Sequence, residues 1–174
     1  MSFTILSNDA TQNIRDAALG MLRSAQQIKA QAPEDLDIAI PGQGWKLHLL
    51  NPSMDPVHEQ SGPSGFKFNS SNADGFRFTA FIEKPAGEGQ RHEDVFEHYW
   101  KLARNNPLIE QNSIQVEKRE NFVKVRYLTS LMPNVNYYFT YKGRWVDLHI
   151  SKLPYGQKDE ELFASFEKHL SYGE

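Results

Sequence analysis

At 174 residues, with 39% hydrophobic side chains and a formal net charge of −3, the chain has the material for one ordinary core. Its mild acidity excludes a partner held by bulk positive charge, so neither nucleic acid nor an anionic membrane is expected. The absence of cysteine removes disulfides and thiolate metal sites from consideration.

The first sixteen residues, MSFTILSNDATQNIRD, show no basic stretch leading into an apolar run, and nothing approaches the roughly 20 apolar residues of a membrane span. A cytoplasmic chain is the expectation, with export only where a leader has been removed. Ile14, Ala17, Ala18, Met21, Leu22, Ala25 and Ile28 fall on one face, which predicts an amphipathic helix over 11–30, ended by Pro33. Residues 1–35 are therefore read as a helical extension, able to support a dimer, and 36–174 as a single domain.

From Leu36 the pattern becomes that of strands. Trp45, Leu47 and Leu49 share a face after the Pro41-Gly42-Gln43-Gly44 turn. Residues 51–65, rich in Pro, Gly and Ser, read as a long loop. Phe66 and Phe68, then Phe76, Phe78, Ala80 and Ile82, flank Asn72-Ala73-Asp74-Gly75 and predict a hairpin. The segment 91–105 predicts a helix with an apolar stripe of Val95, Phe96, Tyr99, Leu102 and Ala103, and with Glu93 and Asp94 in its first turn. Strands follow over 113–118 and 122–129, and then a long hairpin over 137–152 turning at Lys142-Gly143. A helix over 157–170 closes the chain. Runs of antiparallel strands with few helices predict an α+β fold: one twisted sheet of six to seven strands covered by helices.

The chemistry is less legible. Asp147, His149 and Ser151 are hydrolase residue types, but positions i and i+2 on a strand stand about 6.6 Å apart, too far for a relay. Asp94 and His98 share a helix face without either zinc signature. Lys124, Arg126, Lys142 and Arg144 offer a small basic patch. No cofactor and no metal are expected, and no residue earns a catalytic role. Trp100, Tyr138, Trp145, Asp147 and His149 form the candidate binding set, lining a pocket between the 91–105 helix and the sheet.

Four stretches resemble a group of small bacterial proteins, many of them exported: Ile40-Pro41-Gly42-Gln43-Gly44-Trp45, Phe76 to Glu83, Tyr99-Trp100-Lys101 and Trp145 to Ser151. The resemblance covers about 38–170 and extends to the Mog1/PsbP-like α/β sandwich, whose better-known members are protein-binding accessory factors. It implies a sandwich fold and, with the absence of any catalytic constellation, supports a non-catalytic module that binds another protein; the long 54–64 loop and the exposed end of the last hairpin are the expected contact surface. A carrier of small apolar ligands is the alternative, and a hydrolase using His149 a third.

Overall fold

The computed structural model describes residues 34–87 and 89–174, so the expected helix over 11–30 lies outside the described residues. The chain runs β1 (Glu34–Ala39), β2 (Lys46–Asn51), β3 (His58–Ser61), β4 (Gly65–Ser71), β5 (Phe76–Glu83), helix α1 (His92–Ala103), a 3₁₀ turn (Gln111–Ser113), β6 (Gln115–Lys118), β7 (Val123–Thr129), β8 (Met132–Tyr141), β9 (Arg144–Lys152), helix α2 (Asp159–His169) and β10 (Ser171–Gly173). The strands build two antiparallel sheets rather than the expected one. The larger has the order β3-β4-β5-β9-β8-β7-β6 and the smaller β1-β2-β10.

The correction has a local cause. The 51–65 segment is not a structureless loop, because His58–Ser61 pairs with β4 as an edge strand while Met54 and Val57 lean on the core. At the other end, Tyr172 of β10 pairs with Leu47, and its ring stacks on Phe139 at 4.5 Å. Both outer strands of the large sheet, β3 and β6, are short and exposed along their whole length. Short polar edges of this kind discourage sheet-to-sheet aggregation.

The central hairpin β8–β9 sets the layers. Val135, Tyr137, Phe139, Val146, Leu148 and Ile150 face one way, into a core shared with Leu47 and Leu49 of the small sheet and with Phe163 and Phe166 of α2. Tyr138 and Trp145 face the other way and pack with Val95 and Trp100 of α1. Two ion pairs, Lys124–Glu167 and Arg126–Glu160, tie β7 to α2.

Helix α1 begins where Asp94 Oδ2 accepts the Arg91 backbone N–H at 3.0 Å, so that Arg91 serves as its cap. Its buried face departs from the expected stripe. Leu102 is 72% exposed whereas Trp100 is buried. At 100° per residue Leu102 lies about 90° from the centre of the Val95–Phe96–Tyr99–Trp100–Ala103 arc, and the larger indole takes the covered position. Helix α1 lies over β7, β8 and β9. The second face is thus covered in part, and the β3–β5 half carries polar side chains toward solvent.

Candidate functional site

All five candidate binding residues lie on the α1 face of the large sheet, because Trp145, Asp147 and His149 alternate with inward Val146, Leu148 and Ile150 along β9. Tyr138 stands opposite Asp147 in the β8–β9 register, and Trp100 comes down from α1. They divide into an aromatic half and a polar half.

In the aromatic half, Tyr99 stacks on Tyr138 at 6.2 Å, Trp100 meets Tyr127 at 5.3 Å, and His98 meets Trp145 at 5.2 Å. Trp145 Nε1 donates to the Gly89 carbonyl at 3.0 Å, and Tyr99 donates its hydroxyl to Glu83 at 2.5 Å. Burial, ahead of the Glu83 carboxylate, pushes the Tyr99 phenol well above its ordinary value. Side chains fill the space that an apolar-ligand carrier needs, which removes support from that alternative.

The polar half is a ladder of amides. Tyr127 donates to Asn136 Oδ1 at 3.1 Å, and Asn136 Nδ2 donates to Asp147 Oδ1 at 2.7 Å. Asn134 spends its Nδ2 on Thr129 Oγ1 and on the Met132 carbonyl, both at 2.8 Å, so its Oδ1 accepts from His149 Nε2 at 3.0 Å. Burial pushes the Asp147 carboxyl up to about 6, opposed by the Asn136 hydrogen bond and helped by the charge of Glu83. Burial also holds the His149 imidazole down at about 4. Asp147 and His149 are each hydrogen-bonded to asparagine rather than to each other, so no relay runs from Asp147 through His149 to Ser151.

The other sequence candidates disperse. Arg91 holds Asp94 at 2.9 Å through its guanidinium, and His98 packs among rings. Among the described residues, no cluster of three or more His, Asp or Glu is arranged for a metal. Three charges of the basic patch are paired with carboxylates, Lys124 on Glu167, Arg126 on Glu160 and Lys142 on Glu174, and Arg144 donates to the neutral Gln43 amide. Lys124 and Arg126 line a cleft of about 780 Å³ between β7 and α2 with Phe122 and Tyr137, and both of these charges are already paired.

One feature escaped sequence reasoning. Leu102, Leu108, Val116, Leu131 and Leu153 are large apolar side chains with exposures from 48% to 77%. Topology gathers four of them, all but Val116, at one end of the large sheet. Helix α1 runs antiparallel to β8, with His92 accepting the Thr140 N–H near the start of the helix and Leu102 near its end. Ile109 bridges to Thr129, which carries Leu108 to the level of the Ser130-Leu131 turn. The register Asn134↔Ser151 brings the end of β9, with Leu153, to that same end, whereas Val116, opposite Val125, stands at mid-strand on the sheet edge. Ser130 and Leu131 hold φ of 48° and 69°. This is the left-handed pair of a type I′ turn, which favours Asn-Gly and strains a leucine by about 1–2 kcal/mol. The available signal was the poor turn chemistry of Ser-Leu between two strand patterns.

No family model and no curated protein matches the chain. Among solved structures it is similar to the cyanobacterial PsbP (CyanoP) from Synechocystis sp. PCC 6803 in solution, at 12% identity and a TM-score of 0.48, over 82% of this chain and 95% of that one. The likeness is one of fold alone. No helix among the described residues is long and apolar enough to cross a membrane.

Proposed function

We propose that the chain is a non-catalytic module that binds another protein, and that its contact surface is the apolar end of the large sheet around Leu108, Leu131 and Leu153. The exposed leucine in the left-handed position of the β7–β8 turn carries this reading. Scattered exposed leucines need no explanation, but a group of four at one end does, and a backbone cost accepted at its tip argues for use. The reading moves the contact away from 54–64, where β3 forms, and from the Lys142-Gly143 turn at the opposite end of the hairpin.

A photo-reactive side chain placed at 131, 142 or 59 of the full chain, in its own cell, tests the assignment. One discrete protein adduct is expected from 131 and none from the other two. Adducts from 142 or 59 only would return the contact to the surfaces expected from sequence. None from any position would end the protein-binding reading.

A second test separates stability from use. Changing Ser130→Asn together with Leu131→Gly supplies the residues that the turn favours and is expected to raise the unfolding free energy by about 1 kcal/mol. The same variant is expected to lose the adduct formed from a photo-reactive group at 108. A loss of stability would show that Leu131 is held by packing rather than strained.

A further inference from the structure

The geometry points to an oxyanion-binding site on the uncovered half of the large sheet, centred on Arg77, for a ligand that presents a carboxylate or phosphoryl group. Arg77 sits in β5 directly between Ser71 of β4 and Ser151 of β9. Directly opposed residues in antiparallel strands hold their Cβ atoms about 5 Å apart, so Ser71 and Ser151 flank the base of the Arg77 side chain. Thr79, two residues along β5, faces the same way with Asn69 opposite it.

Two other arginines of the large sheet are committed, Arg126 of β7 to Glu160 at 2.8 Å and Arg144 of β9 to Gln43 at 3.1 Å. Among the described residues no carboxylate pairs with Arg77, and the side chains of Asn69, Ser71, Thr79 and Ser151 make no hydrogen bond. Arg77, Asn69, Ser71 and Thr79 line one open hollow of about 280 Å³, together with Asp55 and His58.

A guanidinium fork with hydroxyl and amide donors lining the same hollow is the donor set that oxyanions select. It differs from the larger cleft on the opposite face, where Lys124 and Arg126 are already bound to glutamates. Asp55 gives the site a signed test, because a carboxylate on the rim opposes an anion that Arg77 attracts.

Titration of the full chain with sodium phosphate and, separately, sodium acetate at constant ionic strength, followed by amide NMR, examines the site. Saturable shifts are expected at Asn69, Ser71, Arg77 and Thr79. Saturation by phosphate alone identifies a phosphoryl ligand, and saturation by acetate alone a carboxylate. Arg77→Gln should weaken binding tenfold or more with an unchanged Tm, since the side chain is exposed and unpaired. Asp55→Asn should tighten it several-fold. The site is overturned if neither anion saturates, if the shifts persist in Arg77→Gln, or if they spread over Lys124, Arg126 and Lys142 as plain ionic association does.

Discussion

Replacing Trp145 by alanine is expected to lower the unfolding free energy by about 3–5 kcal/mol, the range for deleting a buried aromatic side chain. The indole is 4% exposed and serves three neighbours at once. It packs against His98 and Tyr99 of α1, and its Nε1 holds the Gly89 carbonyl just ahead of that helix. Its loss therefore opens a cavity and leaves a carbonyl unpartnered at the entry to α1. Urea unfolding read by far-ultraviolet circular dichroism measures the change as a drop in midpoint at constant slope. Trp145→Phe keeps the ring packing but not the donor, and should retain more than half of the lost stability. If Trp145→Ala unfolds at the wild-type midpoint, the aromatic layer is a cavity wall rather than a core, and the apolar-carrier reading regains its basis.

That result bears on which parts of the fold were open to sequence reasoning. Alternation was sufficient for β5, β7 and β9, because each has one face of Phe, Val, Leu or Ile against the core and reads cleanly at period two. The turn at Lys142-Gly143 followed from its glycine, which has φ of 69°. Helix α1 followed from its stripe and its acidic first turn. The early part of β8 did not, because Pro133, Asn134 and Asn136 interrupt the apolar pattern with the polar groups that later hold His149 and Asp147. β3 and β10 are three to four residues long, and their existence depends on neighbours already in place rather than on local preference.

The candidate set was legible as a shared face, since Trp145, Asp147 and His149 alternate along one strand. What the face does depends on partners distant in sequence. Gly89 stands 56 residues from Trp145, and Asn134 stands 15 from His149. Helix rotation is likewise a tertiary decision, so Leu102 read as core and became surface.

The polar ladder supplies the second large effect, a pair of opposite pH dependences hidden within one protein. Asp147 has a carboxyl raised from 3.8 to about 6. Its charged form is disfavoured on folding, so the cost is absent below pH 3.8 and complete above about 6. His149 has an imidazole lowered from 6.5 to about 4, so its cost is absent above pH 6.5 and complete below about 4. Each shift corresponds to at most about 3 kcal/mol, at 1.36 kcal/mol per pKa unit. Between pH 4 and 6 the folded state holds the extra proton on Asp147 while the unfolded state holds one on His149, so the two slopes cancel.

Removing either partner exposes the other. Asp147→Asn keeps an oxygen for Asn136 Nδ2 and is expected to stabilise the protein at pH 7 by up to about 3 kcal/mol. Relative to wild type, that gain shrinks as pH falls through 6 toward 4. His149→Gln keeps a donor for Asn134 Oδ1 and is expected to be near neutral at pH 7, gaining up to about 3 kcal/mol as pH falls from 6.5 to 4. Urea midpoints at half-unit pH steps give both difference curves, and the mutant-minus-wild-type form subtracts the exposed carboxylates common to all three proteins. Opposite slopes would establish that the ladder holds an acid and a base together, each against its charged form. Two flat difference curves would mean that water reaches Asp147 and His149 freely beside α1, and that this end of the sheet is surface rather than interior.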